Sequence, residues 1–246
     1  MRDAMLAVRT TDPQRCATMI RSSPGQCCRE GSLGTGVSIL VCALAVAALL
    51  VAERRESQRG KWLAKPIASA AFMATALFAG ALDSDYGRLV LLGLALCLLG
   101  DLLLIPTGRI AIFRAGLFAF LAGHVAYGAA FLTQPLSLAW LAFAAAALVV
   151  GLLQIWRWLQ PALPADMRLP VQAYFIVIGA MAALACAVTG AGGPAIVAAG
   201  ALAFAASDVA VARDRFVRQG FVNRAWGLPL YYLAQLLLAL SPAAIA

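Results

Sequence analysis

Residues 88–105 read RLVLLGLALCLLGDLLLI, an apolar run that opens on Arg88 and carries one further charge, Asp101, near its far end. At about 1.5 Å per residue such a run reaches roughly 27 Å as a helix, close to the hydrocarbon thickness of a bilayer. Runs of the same kind lie near 37–52, 65–82, 113–132, 136–156, 171–189, 194–212 and 225–241, which makes eight. The whole 246-residue chain is 63% apolar and 12% charged, with a mean hydropathy of +0.88. Soluble domains run at roughly 45–50% apolar and about 25% charged. The expected fold is therefore all-α: a polytopic membrane protein, a bundle of eight transmembrane helices with an internal polar cavity. Nucleic acid as a partner, a dinucleotide-binding enzyme and a disulfide-knit secreted domain are all poor matches to these proportions.

Residues 1–36 are polar and rich in Ser, Gly, Arg and Cys, without the apolar core of a signal peptide. They are expected to form a disordered tail, with the membrane domain spanning 37–246. Short connectors punctuated by Pro106, Gly108, Pro135, Pro161, Pro164, Pro170, Gly192 and Pro194 predict antiparallel neighbours. Lys and Arg are retained on the cytoplasmic side of short loops. The first, third, fifth and seventh loops hold thirteen such residues, from Arg54 to Arg224, while the even loops and the C-terminus hold Arg88 alone. Odd loops in the cytoplasm and both termini outside are the expected arrangement, which the five arginines of the tail oppose.

Ionisable groups inside a bilayer cost about 2.5–3.5 kcal/mol each on lenient scales, so each marks a candidate function. Well inside the runs stand only Asp101, His124 and Asp208, with Lys65 at the mouth of the second. Asp101 and Asp208 each lie four residues from the cytoplasmic end of their run, at a matched depth of about 6 Å. Tyr174, Tyr231 and Tyr232 fall in the same half of the bilayer, and His124 and Gln235 lie deeper, about 15 Å in. Tyr127 follows His124 by three residues on a similar helix face. These positions predict a polar chamber opening inward. Two carboxylates in one low-dielectric chamber repel, which keeps one protonated while the other is ionised. That division suits general acid and general base. The plainer alternative is that each Asp hydrogen-bonds a neighbouring helix and only fixes packing, and one of the two tyrosines, Tyr231 or Tyr232, is expected in the interfacial belt.

Other chemistries fare worse. One histidine and no CxxC leave no ligand set for zinc, and no cofactor is implied. Cys42, Cys97 and Cys186 lie in apolar runs as small fillers. No GxSxG occurs, and Ser207 beside Asp208 has no base of its own. A proton-coupled transporter remains the rival reading. Asp101 and Asp208 stand four helices apart, so two four-helix halves form a possible repeat, with Gln235 as a weak echo of His124.

The order of these residues resembles the YhhN family of membrane proteins, which includes lysoplasmalogenases. The likeness rests on Lys65-Pro66, on Gly100-Asp101 in LLGDLLL, and on Gly116, Phe120, His124 and Tyr127 in FRAGLFAFLAGHVAYGAAF. Ser207-Asp208 in FAASDVAVARDRF, and Tyr231, Tyr232 and Gln235 in YYLAQLLL, complete it. The resemblance implies a hydrolase of the bacterial inner membrane acting on the vinyl ether of a lysophospholipid, to give a fatty aldehyde and a glycerophospho-amine. Asp101 and Asp208 are then the expected catalytic pair. Lys65, His124, Tyr127, Tyr174, Ser207, Tyr231, Tyr232 and Gln235 are the expected binding and support residues, and membrane lipids the surroundings.

Overall fold

Several helices start where a residue with extended backbone can close the first turn. The hydroxyls of Ser57, Ser84 and Ser137 accept from the amides of Gly60 at 3.2 Å, Gly87 at 3.1 Å and Trp140 at 3.4 Å. Pro164 and Pro194 hold the same position in two others, where a missing amide costs nothing. The computed structural model describes residues 24–106 and 108–245, with side chains from residue 31 onward. It contains eight α-helices: α1 (Pro24–Arg54), α2 (Gln58–Phe78), α3 (Asp85–Leu103), α4 (Ile110–Leu132), α5 (Leu138–Leu159), α6 (Ala165–Gly190), α7 (Ala195–Ala212) and α8 (Phe221–Ile245). A 3-10 turn (Gln160–Ala162) follows α5 and a π-turn (Arg213–Val217) follows α7, and no strand occurs among the described residues.

Among the described residues seven helices are long and apolar enough to cross a bilayer, and the chain is a multi-pass membrane protein. The exception is α2, whose first half carries Arg59, Lys61 and Lys65, so seven spans meet that measure where eight were expected. Hydropathy located the membrane-crossing parts but not the helix ends. Helix α1 starts at Pro24, so the boundary expected at residue 36 falls inside it, and the rest of the expected tail, residues 1–23, lies outside the described residues. Helix α2 starts two turns before Lys65-Pro66, and Pro170, expected in a loop, lies inside α6. Polar capping turns extend a helix past its apolar run. A proline within it costs one backbone bond, which surrounding helices tolerate.

Helices α2, α3, α4, α6, α7 and α8 pack one against the next in that order, and α8 returns to α2, closing a ring. Helix α1 lies outside against α2 and α8, and α5 lies outside against α6. Without a hydrophobic drive between helices in lipid, close approach depends on small residues. Gly93, Cys97 and Gly100 of α3 supply it, meeting Tyr127, Gly123 and Phe120 of α4. A Cβ added at Gly93 would stand 2.6 Å from the Tyr127 ring. This seam places Asp101, beside Gly100, on the chamber wall and His124, beside Gly123, behind it. Gly93→Val is expected to push the Tyr127 ring aside and cost about 1–3 kcal/mol, read as a lowered unfolding midpoint in mixed micelles. An unchanged midpoint would mean the seam is looser than drawn.

Candidate active site

Asp101 sits near the end of α3, 2% exposed, and everything that reaches its oxygens is a donor. The Lys65 ammonium lies 3.2 Å from Oδ1. The Ser69 hydroxyl donates to Oδ2 at 2.7 Å, and the Tyr231 hydroxyl donates to the same oxygen at 2.8 Å. Lys65 and Ser69 are one turn apart on α2, so both face α3 together. A buried carboxylate needs this kind of charge and hydrogen-bond compensation.

Asp208, near the end of α7, is provided for differently. The Tyr174 hydroxyl of α6 donates to Oδ2 at 2.9 Å. The ring nitrogen Nε2 of His124, from α4, stands 3.6 Å from the same oxygen, too far for a hydrogen bond. Nδ1 of His124 is bonded to the Phe120 carbonyl at 2.6 Å, and the ring is packed between Phe204 at 4.3 Å and Tyr174 at 5.2 Å.

Both aspartates line one chamber of about 500 Å³. Lys65, Tyr174, Ser207 and Tyr231 line it with them, along with a wall of Leu104, Leu117, Phe120, Val171, Phe175 and Leu228. Its mouth lies at the end of the bundle that carries the basic connectors, among Lys61, Arg109, Arg215 and Arg224. The other expected residues stand behind this wall. Tyr127 donates to Gln235 Oε1 at 2.6 Å, and the Tyr232 hydroxyl lies 3.3 Å from that of Ser69. Tyr231 and Tyr232 are 7% and 2% exposed, so neither is an interfacial belt residue, contrary to expectation. Ser207 donates to the Phe204 carbonyl within its own helix at 2.8 Å.

The packing carries a repeat that the sequence reading sought in the wrong place. Tyr231 follows His124 by 107 residues, and Asp208 follows Asp101 by the same 107, so Tyr231 rather than Gln235 is the counterpart of His124. Each aspartate is on the third helix of its half and meets the second helix of the same half, through Lys65 and Ser69 or through Tyr174. Each also meets the fourth helix of the other half, through Tyr231 or His124.

Sequence reasoning missed Ser69, because a serine in an apolar helix has no distinct signature beyond its spacing from Lys65. It also missed an ionic hub at the mouth. Glu53 of α1 receives Lys61 of α2 at 2.8 Å and Arg224 of α8 at 2.7 Å. Arg224 also reaches Asp214 at 3.2 Å, and Asp214 accepts from the Asn223 side chain at 3.1 Å and the Gly220 amide at 2.9 Å.

The family model that matches, described as the YhhN family, covers residues 60–242. The chain belongs to the YhhN family. No curated protein and no solved structure matches it. In this YhhN protein the matched span takes in every chamber residue except Glu53, and it leaves out α1, the helix packed outside the ring.

Proposed function

We propose that this YhhN protein is a membrane-embedded hydrolase that cleaves the vinyl ether of lysoplasmalogens, releasing a fatty aldehyde and a glycerophospho-amine. The observation that carries the proposal is the convergence of two carboxylates with unlike partners on one chamber, apolar along its wall and basic at its mouth. Vinyl ethers open when a proton is added to the β-carbon. The oxocarbenium ion that results needs a nearby negative charge, as in glycoside hydrolysis. Asp101 and Asp208 divide these two tasks. Water adds to the cation, and the hemiacetal collapses to aldehyde and alcohol.

Lys65 is engaged with Asp101 and Arg224 with Glu53 and Asp214, so Arg109 and Arg215 of the mouth are the better seats for the phosphate, and the chain lies along the apolar wall. Tyr174, Ser207 and Tyr231 border the reacting group. His124, Tyr127, Tyr232 and Gln235 hold the wall from behind. The thirteen basic residues of the odd connectors favour a chamber open to the cytoplasm and both termini in the periplasm, in a bacterial inner membrane. The test is purified protein in micelles with lysoplasmenylethanolamine, reading fatty aldehyde, beside the acyl lysophospholipid as control. Aldehyde from the vinyl ether alone is expected. None from folded protein would overturn the reading.

The 107-residue repeat favours one alternative, a proton-coupled transporter built from parallel halves. Such a protein would acidify or alkalinise proteoliposomes on substrate addition, a signal the hydrolase reading does not produce.

A further inference from the structure

The geometry points to Asp208, paired with His124, as the proton donor, and to Asp101 as the proton-free carboxylate that faces the developing cation. This assignment rests on the hydrolase reading and adds the division of labour within it.

Hydrogen-bond accounting decides between the two carboxylates. Asp101 meets an ammonium and two hydroxyl donors, and no acceptor is recorded against it among the described residues. A proton on it would remove the charge that compensates the Lys65 ammonium, and the new O–H would find only donors around it among the described residues. At Asp208 the balance is reversed. His124 is fully buried, and its Nδ1 hydrogen is committed to the Phe120 carbonyl, which leaves Nε2 as a lone pair in the neutral ring. Among the described residues that Nε2 has no hydrogen-bond partner, and Asp208 Oδ2 stands 3.6 Å from it. Oδ2 already accepts from Tyr174, so the group left unsatisfied is the buried Nε2, whose lone pair faces a second lone pair; one proton held between them turns that repulsion into a hydrogen bond. A shift of under about 1 Å brings the 3.6 Å separation to hydrogen-bond length.

The repeat sharpens the contrast. At matched positions one half places Tyr231, whose hydroxyl donates, and the other places His124, whose ring can accept a proton and return it. The groups that face His124 are Asp208 from α7 and Tyr174 from α6, with Tyr231 of α8 beyond Phe204, and Cys97 of α3 against the neighbouring Gly123.

The step balances as follows. The proton of the Asp208–His124 pair moves to the β-carbon, whose π electrons form the new C–H bond, and the α-carbon becomes the oxocarbenium ion beside Asp101. Water forms a C–O bond at that carbon and gives a proton back to the pair. The hemiacetal C–O bond then breaks as the glycerol oxygen takes the proton held by the pair, the hemiacetal hydroxyl gives its proton back to the pair, and the aldehyde leaves. His124 acts through Asp208, so it is a positioning residue.

The test compares wild type, His124→Gln, His124→Tyr and Asp101→Asn, reading aldehyde release across pH with unfolding midpoints alongside. In His124→Gln the pH limb of kcat/KM is expected to move by about one unit or more, with a 10- to 100-fold loss at the wild-type optimum. His124→Tyr puts a hydroxyl donor where the Asp101 side has Tyr231 and is expected to lose all measurable release at a near-wild-type midpoint. Residual release by Asp101→Asn is expected to keep the wild-type limb. Should either His124 variant fail to fold, Tyr174→Phe, which removes the hydroxyl that donates to Asp208, replaces it and is expected to move the same limb. A wild-type limb in the His124→Gln and Tyr174→Phe proteins, or a displaced limb in Asp101→Asn, would sink the assignment while leaving the hydrolase reading intact. No aldehyde from wild type would sink the reading itself.

Discussion

Asp208→Asn and Asp101→Asn are each expected to cut aldehyde release by on the order of 10²–10⁴-fold, the range that positioned acid and base groups supply. The two losses have different origins. Asparagine at 208 keeps the shape of the side chain and an oxygen for the Tyr174 hydroxyl, but it has no acidic proton to give. Asparagine at 101 keeps an acceptor for Ser69 and Tyr231 and removes the charge beside the cation. Asparagine at 101 also turns its amide nitrogen toward the Lys65 ammonium, so that variant is expected to lose stability as well as rate, and in both variants kcat is expected to fall. Steady-state aldehyde release coupled to an alcohol dehydrogenase checks both variants. A tenth of wild-type kcat in either would remove that residue from the chemistry.

The largest effect on stability is expected at Lys65. Its ammonium and the Asp101 carboxylate are 12% and 2% exposed, so each depends on the other for compensation. Lys65→Met leaves Asp101 with two hydroxyl donors and an uncompensated buried charge, at a cost of about 3–5 kcal/mol. Lys65→Met combined with Asp101→Asn removes both charges and is expected to recover most of that loss, because exchanging a whole buried pair for neutral groups is close to neutral in stability. Unfolding in micelles for the two single variants and the double variant closes the cycle. If the double variant is as unstable as the sum of the singles, the two residues are not coupled and the 3.2 Å contact does not bear on the fold.

What could be read from the chain alone divides along physical lines. Apolar runs announce spans, because transfer to lipid depends on composition over about twenty residues. The number and order of the helices follow from that, as does the matched depth of Asp101 and Asp208. Helix ends do not follow, because capping by Ser57 or Pro164 is decided within one turn and leaves the hydropathy average unchanged. Partners are harder still. Tyr231 reaches Asp101 across 130 residues, and Tyr127 reaches Gln235 across 108, and no local pattern encodes such meetings. The repeat was half visible: the aspartates agreed, but the second match joins a histidine to a tyrosine. Only spacing reveals it, and a chemical likeness drew attention to Gln235 instead. Tyr231 and Tyr232 illustrate the opposite error, since adjacent tyrosines near an interface resemble belt residues until the neighbouring helices cover them.

Helix α5 contributes only Ala144 and Leu159 to the buried interior, while Phe143, Val149 and Val150 each remain more than half exposed. In a bilayer those side chains meet acyl tails, whose fluid contacts penalise polarity but not shape. The helix therefore answers to hydropathy and length, and its outer face is a neutral attachment point. With Cys16, Cys27, Cys28 and the half-buried Cys186 replaced by serine, a probe coupled through Phe143→Cys reports depth and leaflet without touching the chamber, since Cys42 and Cys97 are buried beyond the reach of a bulky reagent.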